Sequence, residues 1–197
     1  LLNKQVYGCT FKLFQWYANH YGLELHVADL TTGTLSDDLP EVDFVFFETP
    51  TNPFLLSVDI QKVTDFFKAK NEDCLIVVDN TWATPLYQSP CKFGADISLH
   101  SATKYLSGHS DVMGGIILCD SPDLAEKLRS LRFYSGANLD PHSAWLLRRS
   151  LHTLEIRLEK HSETTRQLVD YLRTKSEVKK IYYPDVDGTQ LTNYATL

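Results

Sequence analysis

The sequence predicts an α/β fold, a mainly parallel sheet with flanking helices, followed by the start of a smaller C-terminal domain. Three observations predict it. Strand-type and helix-type segments alternate along the chain. The run CLIVVD (74–79) is apolar without a break, the pattern of a parallel strand covered on both faces. The helix-type segments repeat their apolar residues at three- and four-residue spacing.

Taken in order, YGCTFKLFQWYANHYG (7–22) sets Phe11, Phe14, Ala18 and Tyr21 on one helical face and stops at Gly22. LELHVA (23–28) alternates Leu23, Leu25 and Val27 as a strand does, and FVFFE (44–48) is a short buried-strand type. In VDIQKVTDFFKAKN (58–71), Ile60, Val63 and Phe67 share a face behind the N-cap candidate Asp59. After CLIVVD come two more strands, DISLH (96–100) and GGIILC (114–119). Ser121-Pro122 opens a helix carrying Leu124, Leu128 and Leu131, which ends near Gly136. The stretch 141–175 reads as one long helix with Leu147, Leu151, Leu154 and Leu158 in register, and VKKIYYP (178–184) as a final strand. A domain boundary is expected before Pro141. Residues 1–140 form the large domain, and 141–197 form the connecting helix and the beginning of the C-terminal domain.

Composition narrows the function. A chain of 197 residues with 43% hydrophobic content can bury one sizeable core. The net charge of -6, without a basic block, excludes nucleic acid as an expected partner. No apolar run reaches the roughly 18 residues a membrane span needs, and the N-terminus lacks a signal-peptide pattern. It also lacks Met, so the natural start is expected upstream. Four cysteines without C-x-x-C spacing argue against structural zinc and for reduced thiols in a cytoplasmic protein.

Ligands of parallel α/β sheets bind at the carboxyl ends of the strands. That rule selects ETPTNP (48–53), Asp79-Asn80-Thr81 and the segment around Lys104. Most lysines are solvated surface charges. Lys104 follows a strand and sits behind Ser101 and Thr103, so an amine and two hydroxyls meet at one place. Pyridoxal phosphate needs an amine for its aldehyde and donors for a phosphate of roughly two negative charges. It also needs a carboxylate beside the pyridine nitrogen, and Asp79 ends a buried strand; the bland alternative for Asp79 is a turn cap. A serine acyl-enzyme is the rival, because Ser101-Ala-Thr-Lys104 matches S-x-x-K. Its partner motifs S-D-N and K-T-G do not occur.

VVDNTWATPLY (77–87), HSATKYLSGHSDVMGG (100–115) and FFETPTNPFLLSVDI (46–60) together resemble the Cys/Met-metabolism family of fold-type-I pyridoxal-phosphate enzymes. The resemblance covers nearly the whole chain. It implies that Lys104 carries the cofactor and shuttles a proton, Asp79 pairs with the pyridine nitrogen, and Ser101 and Thr103 hold the phosphate. It likewise implies that Asn52 lies near the ring hydroxyl and that Tyr7 stacks on the ring and assists proton transfer; the bland reading of Tyr7 is a boundary aromatic. Glu48 and Thr49 belong to the same motif without a role, and His100 and His109 read as structural. The implied substrate is a small amino acid, cystathionine or a relative. YGCTF leans toward the γ-acting members and DNTWATPLY toward the β-lyases, with γ-chemistry preferred. A Ser-Gly phosphate turn upstream of the tyrosine motif and a carboxylate-gripping arginine beyond residue 197 are family features outside this chain. It therefore reads as the middle of a longer protein that forms a homodimer or tetramer, with a truncated, non-catalytic relative as the alternative.

Overall fold

The structure, a computed structural model, describes residues 1–184. Six strands form one sheet in the order β2-β1-β3-β4-β5-β6. They are β1 (Leu2–Asn3), β2 (Val27–Ala28), β3 (Phe44–Glu48), β4 (Leu75–Asp79), β5 (Ile97–Ser101) and β6 (Gly115–Leu118). The first five run parallel, and β6 returns antiparallel to β5. The helices are α1 (Gly8–Tyr21), α2 (Ile60–Lys70), α3 (Thr84–Tyr87), α4 (Pro122–Ser135), α5 (Pro141–Leu151) and α6 (Leu154–Arg173).

The unbroken apolar character of the central strands has a direct cause, because both faces of the sheet are covered. Val45, Phe47, Ile76 and Val78 join Ile60, Val63 and Phe67 of α2 in one layer. Phe46, Val77 and Ile97 point the other way, against Phe11 and Phe14 of α1 and Leu124 and Leu128 of α4. Each such side chain, fully buried, contributes about 1.5–3 kcal/mol. The pairing of β3 with β4 runs from Phe44 opposite Leu75 to Glu48 opposite Asp79, so two carboxyl groups finish side by side. Helix ends follow the expected chemistry. Asp59 accepts from Lys62 N (3.0 Å), Ser121 from Leu124 N (3.3 Å) and Asp140 from Ser143 N (3.0 Å). Gly22 and Gly136 close α1 and α4 in the left-handed region.

Three expectations are corrected. The stretch 141–175 is two helices, broken at His152 and Thr153. The Ser150 carbonyl accepts instead from Thr153 N, Thr153 Oγ1 and Arg157 Nη2. These bonds compete with the regular helical bond at that carbonyl. Leu147, Leu154 and Leu158 share one buried cluster, while Leu151 is exposed. Second, 178–184 forms no strand. A strand exists through its ladder partner, and neither edge strand, β2 nor β6, takes this segment as a neighbour. Third, the strand read over 23–28 shortens to Val27–Ala28, paired with Leu2–Asn3. Among the described residues no helix is long and apolar enough to cross a membrane. Nor does any group of three His, Cys, Asp or Glu among them stand ready for a metal ion.

Candidate active site

The carboxyl ends of β3, β4 and β5 place Glu48, Asp79 and Ser101 along one edge of the sheet. A cleft of about 470 Å³ opens there, within the usual range for small-molecule sites. All six residues singled out from the sequence line it: Tyr7, Asn52, Asp79, Ser101, Thr103 and Lys104. Glu48, Thr81, Trp82, Tyr105, Ser110 and His161 line it as well.

The β4 end is built around Asp79. Its Oδ1 accepts from Thr81 N (2.9 Å) and from the Thr81 hydroxyl, the turn an Asp two residues before an amide favours. Thr81 Oγ1 in turn accepts from Ser101 N at 2.8 Å, which ties the β4 exit to the β5 exit. Behind this chain, buried Asn80 and Gln88 bond each other. Gln88 Nε2 donates to Asn80 Oδ1 (2.7 Å) and to the Thr49 carbonyl (2.9 Å). The motif 48–53 is thereby locked to the Asp79 loop. Thr49 Oγ1 accepts from Val58 N at 3.0 Å and fixes the far end of the same loop.

After β5 the chain turns through Ala102–Gly108. Gly108 N donates to the Lys104 carbonyl (2.8 Å) and Ser107 Oγ to the Thr103 carbonyl (3.1 Å). Thr103 Oγ1 accepts from Gly114 N at 3.0 Å, so the loop before β6 is anchored beside Lys104. The Lys104 side chain is exposed to the cleft. Arg157 of α6 braces the turn from behind, its Nη1 donating to the Tyr105 carbonyl at 2.8 Å. Across the cleft, Tyr7 precedes α1 with half its surface exposed, and its backbone amide donates to Glu48 Oε1 at 2.7 Å.

Electrostatics differ along the cleft. Burial raises the Glu48 carboxyl to about 7; the Tyr7 amide opposes that rise and neighbouring Asp79 adds to it. A hydrogen bond with the Cys9 thiol pushes the Tyr7 phenol above its ordinary value. Burial also raises the Tyr105 phenol and lowers the His100 imidazole. His100 is buried, with Nε2 3.2 Å from Ser98 Oγ, and His109 lies against the Ser107 carbonyl and Ser150; neither lines the cleft. Thr81 carried a sequence signal in its spacing from Asp79. Gln88 and His161 carried none, because only the fold brings them to this edge.

The donor set fits pyridoxal phosphate. An exposed amine, a carboxylate held in place, two hydroxyls and an open aromatic face surround one cleft of suitable size. Fold and cleft together define a class, α/β proteins that gather an amine, carboxylates and hydroxyls at the carboxyl edge of a parallel sheet. Within that class the chain belongs to the Cys/Met metabolism PLP-dependent enzyme family, which it matches over residues 1–196. It is 41% identical over 193 residues to a cystathionine beta-lyase of Lactococcus lactis, covering 95% of this chain and 50% of that one. A cystathionine gamma-lyase of Bacillus subtilis is 38% identical over 186 residues, with coverages of 93% and 48%. In three dimensions, the crystal structure of cystathionine gamma-lyase from Lactobacillus plantarum complexed with L-serine is similar with a TM-score of 0.90 and 34% identity. That match covers 98% of this chain and 53% of the other. The chain spans about half the length of the relatives it matches.

Proposed function

We propose that the complete protein makes or breaks the C–S bond of cystathionine or a related amino acid with pyridoxal phosphate, acting at the γ-carbon. One observation carries the reading. The amine, carboxylate, hydroxyls and aromatic that this chemistry requires come from separate stretches of the chain and line a single cleft. When bound, the cofactor supplies an electron sink for the bonds broken at the substrate.

The residues divide the work. Lys104 holds the cofactor through its amine and moves the proton between substrate carbons. Asp79 keeps a proton on the ring nitrogen. Both Thr81 bonds fall on Oδ1, so Oδ2 is the atom assigned to that partner. Ser101 and Thr103 donate hydroxyls to the phosphate, Asn52 lies beside the ring hydroxyl, and Tyr7 covers the ring and assists proton transfer. Trp82 and Tyr105 supply an apolar wall that limits water. β-elimination is the second reading, favoured by the 41% identical cystathionine beta-lyase.

The large domain is assigned to 1–140 and the connecting region to 141–197. A homodimer or tetramer is supported by the exposed Leu13, Trp16, Tyr17 and Tyr21 of α1. A reducing, cytoplasmic setting is supported by Cys9, Cys74, Cys91 and Cys119, all free thiols.

The test is the complete protein and its Lys104→Ala variant, followed by visible absorbance and by turnover of cystathionine. The parent should show a visible cofactor band and release a keto acid; the variant should lose both while keeping its far-UV circular dichroism. 2-Oxobutanoate identifies γ-elimination and pyruvate β-elimination. Turnover near the parent rate in the variant would remove Lys104 from the chemistry.

A further inference from the structure

Glu48 is the buried carboxyl group that the roles above leave unused. It is 4% exposed, a position in which acidic side chains are rare unless something holds them. Its Oε1 accepts from the Tyr7 amide at 2.7 Å, and its carboxyl group also accepts from the Asn52 backbone. Tyr7 lies 41 residues before it in the chain and Asn52 four after it, on the loop that turns away from β3. The strand that carries Glu48 pairs it with Asp79 across the ladder. One side chain therefore touches the backbone of two of the three residues assigned to the cofactor ring from outside the Lys104 segment, and it stands next to the third, assigned to the ring nitrogen.

We infer that Glu48 is a positioning residue, a backbone clamp that sets Tyr7 and Asn52 at a fixed height above the Asp79 end of the cleft. The inference rests on the proposed cofactor reading for what those residues touch, and on geometry alone for the clamp. Tyr7 begins α1 without any side-chain cap of its own, so the Glu48 carboxyl is what fixes the entry of the chain into that helix. The amides of Tyr7 and Asn52 donate to the carboxyl in either protonation state, since each of its oxygens keeps a lone pair. The ionisable groups sharing the cleft are Asp79 of β4, Tyr7 before α1, Lys104 and Tyr105 after β5, and His161 of α6. With its carboxyl raised to about 7, Glu48 is largely protonated below neutrality. In that state it adds no second negative charge beside Asp79. The sign follows: the folded chain holds this proton more tightly than the unfolded chain, so stability falls as pH rises from the ordinary carboxylate range through about 7.

The experiment uses the complete protein with Glu48→Ala, Glu48→Gln, Tyr7→Ala and the Glu48→Ala/Tyr7→Ala double variant. Hydrogen exchange is measured by mass spectrometry on the cofactor-free proteins, and pyridoxal phosphate is titrated into each. Glu48→Ala should speed exchange in the peptides containing Tyr7 and Asn52 and weaken cofactor binding about tenfold. Glu48→Gln, which keeps an acceptor of the same shape, should leave the Tyr7 peptide protected and stay within about threefold of the parent. Tyr7→Ala removes the ring but keeps the amide that Glu48 holds; it should cost about tenfold, and the double variant should lose clearly less than the product of the two single changes, because part of the Glu48 effect acts through that ring. Unchanged exchange at the Tyr7 peptide in Glu48→Ala, or a full hundredfold loss in the double variant, would overturn the clamp. Should Glu48→Ala not fold, faster exchange of the Asn52 peptide with a protected Tyr7 peptide in Glu48→Gln supports the clamp, and parent-like exchange of both overturns it. A parent that binds no pyridoxal phosphate overturns the cofactor reading, while the exchange data still decide the clamp.

Discussion

Asp79 and Thr81 set the terms at the residue scale. The role proposed for Asp79, holding a proton on a ring nitrogen, needs a fixed direction as much as a charge, and Thr81 provides the direction with two bonds to Oδ1. Asp79→Asn in the complete protein should lower kcat about a hundred- to thousand-fold, the usual effect of losing one well-placed electrostatic partner. Thr81→Val keeps the charge and the Thr81 amide bond but loses the hydroxyl that donates to Asp79 and accepts from Ser101 N. It should lower kcat about tenfold, with Thr81→Ser restoring most of it. Steady-state kinetics on cystathionine, the proposed substrate, checks both. Parent-like kcat in Asp79→Asn would leave Asp79 as a turn cap.

Among the elements, the joint between α5 and α6 matters most for the site. The leucine pattern of the sequence runs through it, yet the backbone breaks there and leaves Leu151 exposed, because Thr153 and Arg157 take the Ser150 carbonyl. Arg157 then reaches the Tyr105 carbonyl with Nη1, and its Nε donates to Thr153 Oγ1 at 3.1 Å. The guanidinium fills the space above Gly108, where an added Cβ would fall 2.0 Å from Nη1 and where φ is +69°. Arg157→Ala should reduce stability by about 2–3 kcal/mol, as lost bonds from a charged donor do, and weaken cofactor binding through the loosened turn after Lys104. Arg157→Lys should not rescue it, since one ammonium cannot serve three acceptors in a fixed fork. Urea unfolding at constant pH reads the first effect and cofactor titration the second; a lysine variant as stable as the parent would reduce the joint to ordinary helix packing.

For the molecule as a whole, the surface is the informative feature. The α1 aromatics Trp16, Tyr17 and Tyr21 pack against one another on the outside of the fold, and Phe133, Tyr134 and Trp145 are exposed on α4 and α5. Soluble monomers rarely present contiguous apolar patches beyond a few hundred Å². The complete protein should therefore run as a homodimer or a dimer of dimers. The isolated 197-residue chain should self-associate and bind pyridoxal phosphate weakly. Size-exclusion chromatography with light scattering, paired with cofactor titration, checks both, and a monodisperse monomer of the short chain that binds tightly would reverse the expectation.

The strands that build the site were legible because burial on both faces leaves no room for polar residues, so FVFFE and CLIVVD announce themselves without any knowledge of their neighbours. Lys104, Asp79, Asn52, Ser101, Thr103 and Tyr7 were legible as candidates because their chemistry and motif order are local properties of the chain. Other features depended on contacts between distant residues. Leu2–Asn3 became a strand only by pairing with Val27–Ala28 and Phe46. The segment 178–184 failed to become one for want of a partner, and the helix after Pro141 broke where side chains outbid the backbone for the Ser150 carbonyl. Glu48 is the sharpest case. Its letter lay in a motif already noticed, but its task is set by a Tyr7 amide 41 residues away and an Asp79 across the ladder. The sequence determined which chemical groups this protein owns and which stretches must be buried. The tertiary structure decided which of those groups meet, because hydrogen bonds, strand pairing and desolvation act over a few ångströms in space whatever the separation along the chain.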